Sequence, residues 1–225
     1  MSTAPLDLYF RGSRYYIQGS LVIPTALRAA EAVDGSISRD ANIAQVDFRT
    51  IIDCHCVTSW DTTGEHDIGD IAKSLATIVL RSNGEPVVKL GVYRDLDRTS
   101  APPRIDDTQK VIAPFKANDD GTAETEFFCR SDEGRLDAFL RGVVEFNKNY
   151  YEQRYPGCGN IIFAGLFDST MRTSDDFYPT NGILLFRQLS VRKQGNRFLC
   201  VSETKLTGRG STCQANVIFT LDELD

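Results

Sequence analysis

Histidine is scarce in these 225 residues: His55 and His66 are the only two. With so few imidazoles a zinc centre is not expected. The six cysteines (Cys54, Cys56, Cys129, Cys158, Cys200 and Cys213) do not supply the paired Cys-x-x-Cys spacing of a structural zinc site either. Only Cys54 and Cys56 are close, and residues i and i+2 of a strand share a face without forming a zinc knuckle. Reduced, mostly buried thiols are the expectation. Positive charge is also short, with 25 Lys+Arg against 31 Asp+Glu and a net charge of -6. Nucleic acids and anionic membranes both select clustered cations, so neither is an expected partner. No apolar run approaches the roughly 20 residues that cross a bilayer. Residues 1–11 lack the basic-then-apolar order of a secretory signal. These absences point to a cytoplasmic protein with no metal and no other cofactor.

What remains is an ordinary globular balance of 41% hydrophobic and 25% charged residues, enough for one large domain or two small ones. Strands are expected over 43–57, and over 72–80 and 86–94 on either side of an Asn83-Gly84 hairpin signal. A second set spans 182–193, 197–206 and 211–221, separated by Gln194-Gly195-Asn196 and by Thr207-Gly208-Arg209-Gly210. Tight turns between long strands mean an antiparallel meander. Helices are expected over 24–32, which stops at Asp34-Gly35, and over 135–147, where apolar residues recur at 3–4 spacing. The nearly uninterrupted apolar run 159–171 reads as a helix wrapped by its surroundings. The Pro-bearing stretch 98–121 reads as a linker or surface loop.

An internal repeat organises these elements. Setting Gly19 over Gly157 superimposes Leu21–Ala32 on Gly159–Thr170 and Phe48-Arg49 on Phe186-Arg187. About a dozen extra residues in the first half, between Asp53 and Asp70, restore the match of Gly84 to Gly210 and of Val92-Tyr93 to Ile218-Phe219. Each half then reads as an apolar helix followed by a meander that curls around it. The expected fold is α+β, a double hotdog: two long apolar helices wrapped by the antiparallel strands of one continuous sheet, with halves at 1–112 and 113–225.

Three segments carry a family resemblance. Tyr15-Tyr16-Ile17-Gln18-Gly19-Ser20-Leu21-Val22-Ile23-Pro24 resembles the His-x-x-x-Gly-x-x-x-x-Pro motif of dehydratase domains from polyketide and fatty-acid synthases, with Gly19 and Pro24 in register. Leu166-Phe167-Asp168-Ser169-Thr170-Met171-Arg172 looks like their Leu-Leu-Asp-x-x-x-Gln run on the second hotdog helix. Phe177-Tyr178-Pro179-Thr180-Asn181-Gly182-Ile183 is similar to their Tyr-Leu-Pro-x-x-Ile segment before the next strand. The resemblance implies a substrate held as a thioester on an acyl carrier protein or coenzyme A.

It also implies the roles of the site residues. The family's histidine base removes an α-proton, and Tyr15 stands in its place. The aspartate that protonates the departing hydroxyl corresponds to Asp168, and its Gln partner to Arg172. Arg172 at i+4 on a helix would hold Asp168 ionised, and an ionised carboxylate is a poor proton donor. Tyrosine, with a pKa of about 10, is a weak base at neutral pH but can donate to a thioester carbonyl. A leinamycin-type bifunctional acyltransferase/decarboxylase of the same fold relies on tyrosine in this way. Helix-end amides at Gly19 and Gly159 are candidate oxyanion donors, and Asn147 and Asn160 candidate carbonyl ligands. His55 reads as a half-buried strand residue or a displaced base, and Cys158 as a residue beside the second helix start.

Three functions follow: a dehydratase-like enzyme with altered chemistry, a thioester decarboxylase/acyltransferase or double-bond isomerase using tyrosine, or a non-catalytic acyl-binding or scaffold protein. A double hotdog contains its own pair of halves, so a monomer or a homodimer is expected.

Overall fold

Leu21, Val22, Ile23, Ala26, Leu27 and Ala30 bury one broad face of helix α1 (Gly19–Val33). The helix begins before the expected 24–32, because Leu21-Val22-Ile23 belong to the same buried face and Pro24 falls in its second turn. It stops where expected, the Asp34 amide donating to the Ala30 carbonyl at 2.9 Å. The computed structural model describes residues 2–11, 14, 16–35, 41–61, 73–82, 85–106, 110–208 and 211–223. The chain divides into two compact units, Met1–Gln109 with Arg172–Ser174, and Lys110–Met171 with Asp175–Asp225.

In the first unit α1 packs on a sheet of β1 (Ser2–Pro5), β3 (Asn42–Phe48), β4 (Cys56–Asp61), β5 (Ala76–Ser82) and β6 (Glu85–Arg94). The strand order is β1-β4-β6-β5-β3, with every pair antiparallel. A short parallel pair joins β2 (Phe10–Arg11) and β7 (Arg104–Ile105). Residues 43–57, expected as one strand, are two strands with Ile52 bridged to Ile17 between them.

The second unit holds β8 (Thr122–Phe128), α2 (Arg135–Arg154), β9 (Ile161–Phe167), β10 (Asn181–Gln194), β11 (Arg197–Gly208) and β12 (Ser211–Asp222). Its antiparallel order is β8-β10-β11-β12-β9. Helix α2 buries Leu136, Phe139, Leu140, Val143, Val144, Phe146, Tyr150 and Tyr151. Each such side chain contributes about 1.5–3 kcal/mol by leaving water. Gly142 lets the helix lie close: a Cβ there would stand 3.1 Å from the Phe127 ring on β8.

Leaving aside the short β2 and β7, both units run strand, helix, strand, then three more strands in chain order, and the elements do not fall in the expected register. The partner of α1 is α2, and the run 159–171 is strand β9 followed by a turn. An apolar stretch of seven residues fits a buried strand as well as a buried helix, and length decides for the strand. The units also differ. In the second, β10, β11 and β12 follow one another by short turns, whereas in the first β6 lies between β4 and β5. Fourteen residues (62–75) separate β4 from β5 where two separate β10 from β11, while the dozen extra residues expected between Asp53 and Asp70 belonged to the register that the structure does not keep. The Asn83-Gly84 turn itself lies outside the described residues. No helix among the described residues is long and apolar enough to cross a membrane.

Candidate functional site

The first turn of α2 gathers charge. Gly134 is its N-cap and offers no side chain, so the Leu136 amide donates instead to Asp175 Oδ1 at 2.9 Å, from the 3-10 turn Asp175–Phe177. Asp137 lies in the same first turn. A Cβ built on Gly134 would meet Asp137 Oδ2 at 2.8 Å and Asp175 Oδ2 at 3.2 Å, so two carboxylates converge there from separate elements. The unsatisfied amides and positive dipole end of a 20-residue helix stabilise such an arrangement. One turn further on, Arg141 is buried and donates from Nη2 to Glu133 Oε2. Arg135 donates from Nη1 to the Tyr178 carbonyl at 3.4 Å, and Tyr178 stacks on Phe139 with ring centroids 5.2 Å apart. Cys129, whose thiol donates to the Arg130 carbonyl at 3.3 Å, is raised above the usual thiol range by burial and then by the Glu133 charge.

The residues expected to form a site are scattered. Asp168 does not sit on a helix: it follows β9 as an exposed residue at φ 47° and turns the chain out of the strand, a left-handed position that a short Asp tolerates. The helical i+4 relation to Arg172 therefore does not exist, and Arg172 lies in an isolated antiparallel bridge with Asn42. Gly159 is not at a helix N-terminus. Its amide is engaged by the Asp222 carbonyl at 2.7 Å, while Asn160 Nδ2 donates to Asp222 Oδ2 at 3.2 Å. Cys158 follows the end of α2 and does not stand beside a helix start.

Asn147 is no turn residue. It is fully buried in α2, and Nδ2 donates to the Val143 carbonyl and to Thr204 Oγ1, both at 2.8 Å, while Oδ1 accepts from Ser202 Oγ. Its polar atoms are taken up in joining helix to sheet. Tyr151 lies beside this cluster, its phenol raised far above the ordinary tyrosine value by burial.

In the first unit Gly19 opens α1, as expected, and no side chain caps that end. With its amide oxygen toward Arg14, the Gln18 side chain accepts from Nη1 at 2.7 Å and Nε at 3.2 Å. His55 is buried, not half-buried, and its Nδ1 has no hydrogen-bond partner among the described residues. Tyr15 and His66 lie outside the described residues.

No family model and no curated protein matches the chain. Among solved structures it is similar to a conserved protein of unknown function with a hot dog fold from Alicyclobacillus acidocaldarius, at 12% identity and a TM-score of 0.52 over 94% of this chain and 89% of that one. It is similar to the dehydratase domain of RzxB from Pseudomonas fluorescens, at 9% identity and a TM-score of 0.52 over 97% and 88%. A Lactobacillus plantarum protein provisionally described as an oleoyl thioesterase matches at 9% identity and a TM-score of 0.53 over 100% and 98%. The fold is the hotdog.

Two hotdog units in one chain make this an α+β double hotdog. The second helix is α2, and its first turns read Leu136-Asp137-Ala138-Phe139-Leu140-Arg141. An aspartate followed four residues later by a long polar side chain therefore stands at the start of this helix, a pair that sequence reasoning passed over inside a helix already legible from its 3–4 spacing.

Proposed function

We propose that this hotdog chain acts on acyl thioesters carried by an acyl carrier protein or coenzyme A, through a dehydratase-like site with altered acid–base chemistry. The observation that carries the reading is Asp137, a carboxylate on the first turn of the second hotdog helix. Asp137 and Arg141 stand four residues apart on that helix, as the aspartate and Gln of the Leu-Leu-Asp-x-x-x-Gln resemblance do, and Arg141 replaces the family's neutral amide with a cation that pairs with Glu133. Syn-elimination of water needs a base for the α-proton and a separate acid for the hydroxyl. With Tyr15 where the base would be, Asp137 is the carboxylate that this reading makes the acid–base group.

One carboxylate suffices for double-bond migration. Asp137 takes the γ-proton of an enoyl thioester, the dienolate oxygen is held by the free amides at the start of α2, and Asp137 returns the proton at the α-carbon. Isomerisation is therefore favoured over simple dehydration.

The substitution of Tyr15 and the engagement of Arg141 also support a second reading, an acyl-binding protein without turnover. Incubation with β-hydroxyacyl, enoyl and malonyl-type thioesters in deuterated water separates the two. The enzyme reading expects deuterium incorporation, water loss or carbon dioxide loss from at least one of them, reduced by Tyr15→Phe. Tight binding of a thioester with none of these changes supports the second reading and ends the first.

A further inference from the structure

We propose that the outer face of β8, β10 and β11 is a twofold interface between two copies of this chain. Alternate residues of these strands bury Ala123, Leu184, Phe186, Thr204 and Leu206 under α2, so the intervening residues face outward. That outward face carries Phe128, Ile183, Leu185 and Leu189 at 40%, 39%, 38% and 45% exposure, a run of large apolar side chains along one strand and its neighbour.

The charges beside this stripe are arranged in rows. Leu185 is paired with Glu124 of β8 on one side and with Lys205 of β11 on the other. Directly opposed residues of antiparallel strands point to one face, so the row reads acid, apolar, base. The next row reads Glu126, Ile183, Thr207. Glu124, Glu126 and Lys205 take part in no side-chain ion pair among the described residues, whereas Arg187 and Glu203 in the following row are paired at 3.2 Å.

A rotation of 180° about an axis parallel to β10 and lying above it turns each such row onto itself reversed. Leu185 then meets the second copy's Leu185, and Ile183 its Ile183. Glu124 meets Lys205 of the other copy, Lys205 its Glu124, and Glu126 meets a threonine hydroxyl. The residues are their own complement under a twofold axis, which is the defining property of an isologous interface. Sheets stacked face to face lie about 10 Å apart, the reach of two side chains. β8, β10 and β11 run for 7, 14 and 12 residues. At about 3.4 Å per residue and 4.8 Å per strand, the three-stranded face is roughly 24–40 Å by 14 Å. That is below the roughly 800 Å² that each partner gives to a standard interface, so the dimer is a weak, concentration-dependent one. An acidic partner such as a carrier protein is disfavoured by Glu124 and Glu126.

Sedimentation velocity of the full chain tests this. Wild type is expected to form a concentration-dependent dimer. Lys205→Glu and Glu124→Lys singly are expected to weaken it about tenfold or more. The double variant carrying both changes is expected to dimerise nearly as well as wild type, since the pairs are restored with their signs exchanged. All three positions are on the surface, and far-ultraviolet circular dichroism identifies any variant that fails to fold, for which Leu185→Lys serves instead. A wild type monomeric at every concentration overturns the proposal, as does a dimer indifferent to Lys205→Glu and Leu185→Lys, or a double variant no better than the singles.

Discussion

Arg141 and Glu133 form an ion pair at the foot of α2 in which the two side chains retain only 4% and 13% of their surface. Removing two charges from water costs several kcal/mol, and the pair is sustained because each charge satisfies the other. Glu133→Ala leaves a buried guanidinium without its carboxylate and is expected to cost about 3–5 kcal/mol. Glu133→Leu together with Arg141→Met removes both charges and is expected to recover most of that loss. Urea midpoints measure both. A Glu133→Ala protein as stable as wild type would show that the pair is dispensable.

Asn147 holds α2 to β11 through Thr204 and Ser202. Truncation to Ala leaves buried hydroxyls short of partners, each worth about 1–3 kcal/mol. Asn147→Ala is therefore expected to lower stability by about 2–4 kcal/mol. The triple change Asn147→Leu, Ser202→Ala, Thr204→Val should restore part of it. If Asn147→Ala instead abolished substrate binding at unchanged stability, the residue would be a ligand and not a core tie.

Burial pushes the Cys200 thiol up to about 12, and the Cys56 and Cys213 thiols further, because an anion there would lose its hydration. The native state thus keeps protons that the unfolded chain releases near pH 8.5–9. This stability is fully present below pH 8.5 and is lost as pH rises toward 12. Urea midpoints should fall steadily above pH 9. At pH 8 these three thiols should react with a disulfide reagent only after unfolding, and rapid titration of all three in native protein would contradict their burial.

The helices over 24–32 and 135–147 and the three long strands of the second unit were legible because their periodicity is sustained for ten residues or more. Residues 159–171 were not. Ile161 to Phe167 is apolar throughout, a bulge between Ile218 and Phe219 of the paired strand breaks its alternation, and nothing local distinguishes such a run from a buried helix. That one exchange of strand for helix shifted the repeat and put Asp168 on an expected helix, where the chain instead turns out of β9. The strands β1 and β8 also escaped notice, since both are short and β8 alternates Thr and Glu with its buried residues. The order of β5 and β6 is a long-range matter that no local pattern encodes.

The central claim is that the reactive carboxylate of this hotdog stands on the first turn of α2. Turnover of the responsive thioester by Asp137→Asn, set beside Asp168→Asn, tests it most directly. Loss of an acid–base group costs about 10²–10⁴ in rate, so Asp137→Asn is expected to fall by that factor with its fold intact, while Asp168→Asn stays within about threefold of wild type. Full activity in Asp137→Asn, with the loss appearing in Asp168→Asn instead, would contradict the account.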